Sequence, residues 1–156
     1  KAAKYLTGTH DFSSFTDLKE DKDTVRTLFA VGIVYEEDAL KLSWIGDGFL
    51  YHMVRVLTGT LLDVGTGKIK PEEIPEILKA KDRKKSGFPA PAKGLFLSRV
   101  FYTEEELDEA VREIRERQEL KALRAGDAHS HEDEECRKRP RSAREYSDGT
   151  SKRRVR

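Results

Sequence analysis

The chain has 156 residues, of which 38% are charged, with 30 Lys and Arg against 29 Asp and Glu and a formal net charge of +1. That length supports one domain with a proper core, and so even a balance leaves any partner to be read from local clusters rather than from the average. A single cysteine, Cys136, excludes an internal disulfide framework and fits a reducing cytosol; no apolar run reaches membrane-spanning length and no signal-peptide pattern opens the chain, so a cytoplasmic protein without a membrane partner is expected.

The first residues, Lys1-Ala2-Ala3-Lys4-Tyr5, carry an apolar helical pattern that is already running without a cap. They read as the C-terminal part of a longer polypeptide. A turn over Gly8–Phe15 and a polar exposed loop over residues 16–23 should follow. Thr24–Tyr35 is β-branched and aromatic and predicts a long strand. Glu36-Glu37-Asp38 makes a turn, after which Leu40, Leu42 and Trp44 alternate with Lys41, Ser43 and Ile45 as in a half-exposed strand, completing a hairpin.

Phe49–Gly65 predicts one helix, covered on most sides, with a single arginine set into it. At 100° per residue, His52, Arg55 and Gly59 share a face, and Asp63 lies one turn on. A guanidinium taken out of water requires an anion opposite it. Gly59 weakens a helix, so its value should be close approach by another backbone or by a ligand. The same residues also fit a structural ion pair beside a packing glycine, and the pattern alone does not choose between the two.

Gly65 and Gly67 should end this helix, and Pro71 should start the next, with Ile74, Ile77 and Leu78 on its apolar side. Residues 81–94 form a basic, proline-containing loop, and Leu95–Tyr102 a third strand. Thr103 and Glu106 form a capping box for a helix running to about Ala125, its apolar face made of Leu107, Ala110, Val111 and Ile114. Asp108–Arg112 and Glu113–Arg117 are spaced as ion pairs on its wet side. From Gly126 onward no core-building pattern appears, and an acidic run followed by a basic one predicts a disordered tail over residues 126–156.

Several motifs suggest chemistry and fail on inspection. Gly65-Thr66-Gly67-Lys68 lacks the first glycine of a phosphate loop and has Ile69 where a magnesium-binding hydroxyl belongs, so it reads as a helix stop. His129, His131, Asp133, Glu134 and Cys136 have metal-ligand chemistry but sit in the tail with nothing to orient them. Ser13 and Ser14 lack the glycine elbow of a hydrolase serine, and His10 and Asp11 fit a turn cap and loop anchor better than a dyad. The basic clusters carry more. Lys19, Lys22 and Arg26 precede the first long strand, and Lys81, Arg83, Lys84 and Lys85 precede the expected third. Meeting at one end of a sheet, they would suit nucleic-acid phosphates; ordinary surface charge accounts for them equally well.

An ordered series of blocks is more specific than any of these. Ala2-Ala3-Lys4-Tyr5-Leu6, Gly8-x-His10-Asp11-Phe12-Ser13-Ser14-Phe15, Thr24-Val25-Arg26, Phe49-Leu50-Tyr51-His52-Met53-Val54-Arg55, Gly59 to Gly65-x-Gly67-Lys68-Ile69, Ala80-Lys81-Asp82-Arg83 and Ala90-Pro91-Ala92-x-Gly94-Leu95-Phe96-Leu97 together resemble the bacterial tRNA pseudouridine synthase A family over residues 1–102. The resemblance implies an α+β pseudouridine synthase fold, a mixed and mainly antiparallel sheet with packed helices, of which this chain holds the C-terminal domain. It implies isomerisation of uridine to pseudouridine in the anticodon stem-loop of tRNA (positions 38–40), by a homodimer without metal or organic cofactor, on a base flipped out of its stack. The family's nucleophilic aspartate lies in an Arg-Thr-Asp-Ala-Gly stretch that does not occur here, so Asp11, Asp63 and Asp82 are not assigned that role. Arg55 matches the arginine that pairs with the aspartate, Leu95 matches an apolar residue lining the uracil pocket, and Lys19, Lys22 and Arg26 fall in or beside a loop that touches tRNA. Pro89 stands where Thr is common. Residues 103–125 would be an appended helix. A non-catalytic RNA-binding or dimerisation module is the alternative reading.

Overall fold

In a computed structural model of the chain, residues 1–17, 23–36 and 39–120 are described. They divide into a compact unit, Lys1–Gln118, and a second unit, Glu119–Arg156, of which residues 119 and 120 are described and helical. The compact unit is α+β. Helix α1 (Ala2–Leu6) leads into strand β1 (Gly8–Asp11), then β2 (Val25–Glu36) and β3 (Ala39–Gly46), then α2 (Met53–Gly65) and α3 (Ile74–Ala80); residues 104–120 form a further helix, α4. The sheet is antiparallel in the order β1-β2-β3.

The hairpin expected from the sequence is present, with Val31 opposite Trp44 and Glu36 opposite Ala39. A register shift between Leu28 and Ala30 adds a residue to β2 and lets it feed both sheet faces. On one face Leu28 and Val31 join Leu6, Phe12, Phe15, Met53, Val56, Leu57, Ile74, Ile77 and Leu78 in the main core. Fully burying each large apolar side chain contributes about 1.5–3 kcal/mol, so this cluster sets the position of α2 and α3 on the sheet. On the other face Ala30 and Ile45 are buried with Ala110, and Phe29, Phe101, Leu107, Val111 and Ile114 pack around them. β3 is half-exposed as expected, open over Ala39–Lys41 and partly buried over Leu42–Trp44, but Ile45 is 8% exposed because the apolar stripe of α4 packs against it. Gly32 leaves room for that stripe, since a Cβ there would meet Ile114 Cγ2 at 3.2 Å. Gln118 Nε2 donates to the Val31 carbonyl at 2.6 Å.

Local signals hold where they are strongest. α2 ends at Gly65, with Gly67 in a left-handed conformation (φ +78°) and its N–H donating to the Val64 carbonyl, as a helix stop requires. Lys68 turns back to Asp63 at 3.0 Å. Pro71 opens a 3-10 turn, Pro71–Glu73, that leads into α3, whose Ile74, Ile77 and Leu78 are buried. Thr103 Oγ1 accepts the Glu106 N–H at 3.3 Å, and the Glu106 carboxylate accepts from Tyr102 N at 3.1 Å.

Five expectations are corrected. Gly8–Asp11 is a strand rather than part of a turn: its partner is β2, with Gly8 opposite Leu28 and Asp11 opposite Val25, a pairing that no local propensity announces. Leu95–Tyr102 is not a strand; β composition needs a neighbouring edge to bond to, and no described strand pairs with it. Residues 16 and 17 are not an exposed loop, for Thr16 is buried and donates to the Tyr51 carbonyl at 2.9 Å. The helix begins at Met53 rather than Phe49 because His52 adopts a left-handed conformation at φ 59°. On α4 the ion pair that forms is Arg112–Glu116, at 4.0 Å, in place of the two expected spacings. The tail over residues 126–156 and its candidate metal ligands lie outside the described residues.

Candidate active site around Arg55

Arg55 lies in the first turns of α2, half-buried. Its backbone and side chain are both tied to one residue of the 81–94 loop. Nε donates to the Ala90 carbonyl at 2.7 Å, and the Ala90 N–H donates to the Arg55 carbonyl at 2.9 Å. A hydrogen bond from a guanidinium is stronger than a neutral one, and two bonds to one residue fix direction as well as distance. Among the described residues no carboxylate lies within ion-pair distance of Arg55. The structural ion pair that the sequence also allowed is therefore not formed with any of them.

The loop reaches Arg55 because α2 is shaped to receive it. A Cβ on Gly59 would lie 1.7 Å from the Phe88 carbonyl oxygen, and one on Gly87 would lie 2.9 Å from the backbone of Thr60. The close approach expected at Gly59 is thus made by backbone. Gly87 N donates to Thr60 Oγ1 at 2.9 Å, so residues 87–90 run along the face that carries Arg55, Gly59, Thr60 and Asp63. With its backbone held there, the Phe88 side chain points into solvent, 88% exposed.

Asp17, which sequence reasoning passed over as loop, anchors the other end of this arrangement. Oδ2 lies 2.8 Å from His52 Nδ1, and Oδ1 accepts from Arg83 Nε at 2.8 Å. Arg83 Nη1 continues to Ser86 Oγ at 3.0 Å and to the Gly87 carbonyl at 3.1 Å. The hydrogen bond from His52 holds the Asp17 carboxyl below the usual carboxylate range; burial opposes it and Arg83 reinforces it. Arg83 is therefore held by the protein through both Nε and Nη1. The signal that could have found Asp17 is its place beside the core-forming Phe12–Phe15 segment, which carries it inward.

Lys81, of the second basic cluster, is paired with a carboxylate at the end of β1. Lys81 Nζ lies 2.7 Å from Asp11 Oδ2, and Asp11 also accepts from Thr24 Oγ1 at 2.6 Å and from the Ser13 N–H at 3.0 Å. Thr24 leads directly into β2, where Arg26 is half-buried and donates from Nη1 to the Val25 carbonyl at 2.5 Å. Burial pushes the Asp11 carboxyl up, but Lys81, Ser13 and Thr24 outweigh it and hold it well below the usual range. Asp11 is a loop anchor, as its sequence setting indicated. Lys19 and Lys22 lie outside the described residues. Leu95 follows a 3-10 turn over Ala92–Gly94 and is 50% exposed. No hydrogen bond or ion pair among the described residues joins Leu95 or Arg26 to Arg55. Asp63 is paired with Lys68, and Asp82 accepts the Lys84 N–H at 2.9 Å.

Among the described residues there is no group of three or more His, Cys, Asp or Glu that could hold a metal ion, and no helix long and apolar enough to cross a membrane. The sheet, its two helical covers and an arginine braced by a glycine-bearing helix make this an α+β domain with a candidate site on one helix face. A sequence model of the tRNA pseudouridine synthase family matches residues 2–103, and the chain belongs to that family. It is 48% identical over 103 residues to tRNA pseudouridine synthase A 1 of Bacillus cereus and to tRNA pseudouridine synthase A of Acetivibrio thermocellus, and 50% identical over 103 residues to tRNA pseudouridine synthase A of Bacillus subtilis. Each alignment covers 65% of this chain and 42% of the relative, so the matched part spans less than half the length of these curated relatives. Helix α4 follows directly on the matched region.

Proposed function

We propose that the chain supplies the arginine-bearing part of a tRNA pseudouridine synthase, an isomerase that converts uridine to pseudouridine in the anticodon stem-loop of tRNA. The Arg-Thr-Asp-Ala-Gly stretch of the family is not among these residues, so the nucleophilic aspartate comes from polypeptide outside them. Arg55 pairs with that carboxylate. A guanidinium beside it keeps the acid ionised and aims it by a planar fork, which a lysine does not do. Leu95 lines the uracil pocket, and Lys19, Lys22 and Arg26 meet tRNA phosphates. The working enzyme is a cytoplasmic homodimer without metal or organic cofactor, and the target base is flipped out to reach it.

The observation that carries the reading is the pair of hydrogen bonds between Arg55 and Ala90, one donated by the Arg55 side chain and one accepted by its backbone carbonyl. It commits Nε to the protein and leaves the Nη edge of the fork for a carboxylate. In the complete protein, Arg55→Ala should lower turnover on unmodified tRNA by about 10²-fold or more while changing tRNA affinity little. Equal losses in turnover and affinity would remove the catalytic assignment. They would favour a non-catalytic RNA-binding or dimerisation module, the reading that the short span of the match also permits.

A further inference from the structure

Asp17 uses both carboxylate oxygens to join two pieces of chain that flank Arg55. One is His52, the residue that opens α2 three positions before Arg55. The other is Arg83, which holds the Gly87 carbonyl at the head of the segment ending in Ala90. His52 is held in a left-handed conformation at φ 59°, which a residue with a Cβ keeps only where its surroundings over-determine it. Here the Tyr51 ring stacks on the imidazole at 3.8 Å and Asp17 binds Nδ1. The start of the helix and the loop laid along it therefore share one anchor. Arg55 is bonded to both, covalently to the first and through Ala90 to the second.

We propose that Asp17 is a positioning residue for Arg55. Its carboxylate sets the 83–90 segment against the opening of α2, and with it the direction of the guanidinium. Stabilisation alone does not account for the geometry. A partly exposed ion pair contributes modestly, whereas one carboxylate with a directed bond on each oxygen also restrains orientation. The inference rests on the reading that Arg55 acts in the reaction.

The test compares Asp17→Ala, Asp17→Asn and Asp17→Glu with Arg55→Ala in the complete protein, following kcat and KM on unmodified tRNA together with amide exchange at Ala90. Asp17→Ala should lower kcat by about tenfold or more, leave KM within about twofold and speed exchange of the Ala90 N–H, while amides of β2 and β3 keep their protection. Asp17→Asn, which keeps the shape and guards against a fold that fails, should fall between. Asp17→Glu should restore part of kcat. If Arg55→Ala collapses kcat while Asp17→Ala and Asp17→Asn leave both kcat and Ala90 exchange unchanged, the positioning role is overturned and the proposed function stands. If Arg55→Ala itself leaves kcat unchanged, the catalytic role of Arg55 falls and this inference with it.

Discussion

The carbonyl oxygen of Phe88 occupies the space where a side chain on Gly59 would begin, 1.7 Å from an ideal Cβ. A loop and a helix meet there backbone to backbone, four residues past Arg55. Two effects compete if Gly59 becomes Ala. Helix propensity favours Ala by about 1 kcal/mol. Overpacking against a backbone atom costs about 1–3 kcal/mol, and this contact is too short for a side chain to yield its way out. Gly59→Ala should therefore destabilise the protein, by up to about 2 kcal/mol net on those figures, and loosen the Ala90 hydrogen bonds. Urea unfolding at constant m-value measures the first effect, and amide exchange at Ala90 the second. A stabilised Gly59→Ala variant would mean that the loop does not lie on α2 in solution.

The buried Ser14 hydroxyl links three elements. It donates to the Ile77 carbonyl at 2.6 Å and accepts the Asp82 N–H at 3.0 Å, while its own carbonyl accepts from Ser86 Oγ at 2.5 Å. Ser14→Ala leaves a buried carbonyl and an amide without partners, at a cost of about 1–3 kcal/mol. The expected result is a lower denaturation midpoint. Turnover measured at a temperature where the variant is fully folded should change little, since the serine is not a nucleophile. A turnover loss far beyond the loss of folded protein would contradict that assignment.

Acid should weaken the fold through two carboxylates. Asp11 and Asp17 are both held below their ordinary value in the folded state, so the unfolded chain binds more protons than the folded one as pH drops. Their contribution is complete above the unfolded carboxylate pKa of about 3.9 and is lost as pH falls through the lower folded values. Midpoints measured downward from pH 5 should decline most steeply below about pH 4. Asp11→Asn and Asp17→Asn should each be less stable at neutral pH and show a shallower decline. A variant as steep as the parent would show that its carboxylate is not the group responsible.

Helix α4 lies beyond the family match yet covers one face of the sheet. Truncation after Thr103 removes Leu107, Ala110, Val111 and Ile114 from Phe29, Ala30 and Ile45. Ala110 is 8% exposed and the others are partly buried, so a loss of about 2 kcal/mol or more is expected from area alone. The uncovered face should also bind a hydrophobic dye. Unchanged melting and no dye binding would show that α4 is dispensable to this face.

What the sequence determined by itself is local and periodic. The turn-by-turn apolar spacing set the buried faces of α2, α3 and α4. Gly65 with Gly67 set the end of α2, and alternation set the β2–β3 hairpin, because each of these depends on residues a few positions apart. Arg55 and Gly59 stood out for the same reason, one as a cation and the other as a gap on an apolar helix. The tertiary structure alone decided what meets them. Ala90 lies 35 residues from Arg55, and Arg83 lies 66 from Asp17; no periodicity spans such distances. It also made β1 a strand and left Leu95–Tyr102 without one, since a strand exists only where another edge completes its hydrogen bonds.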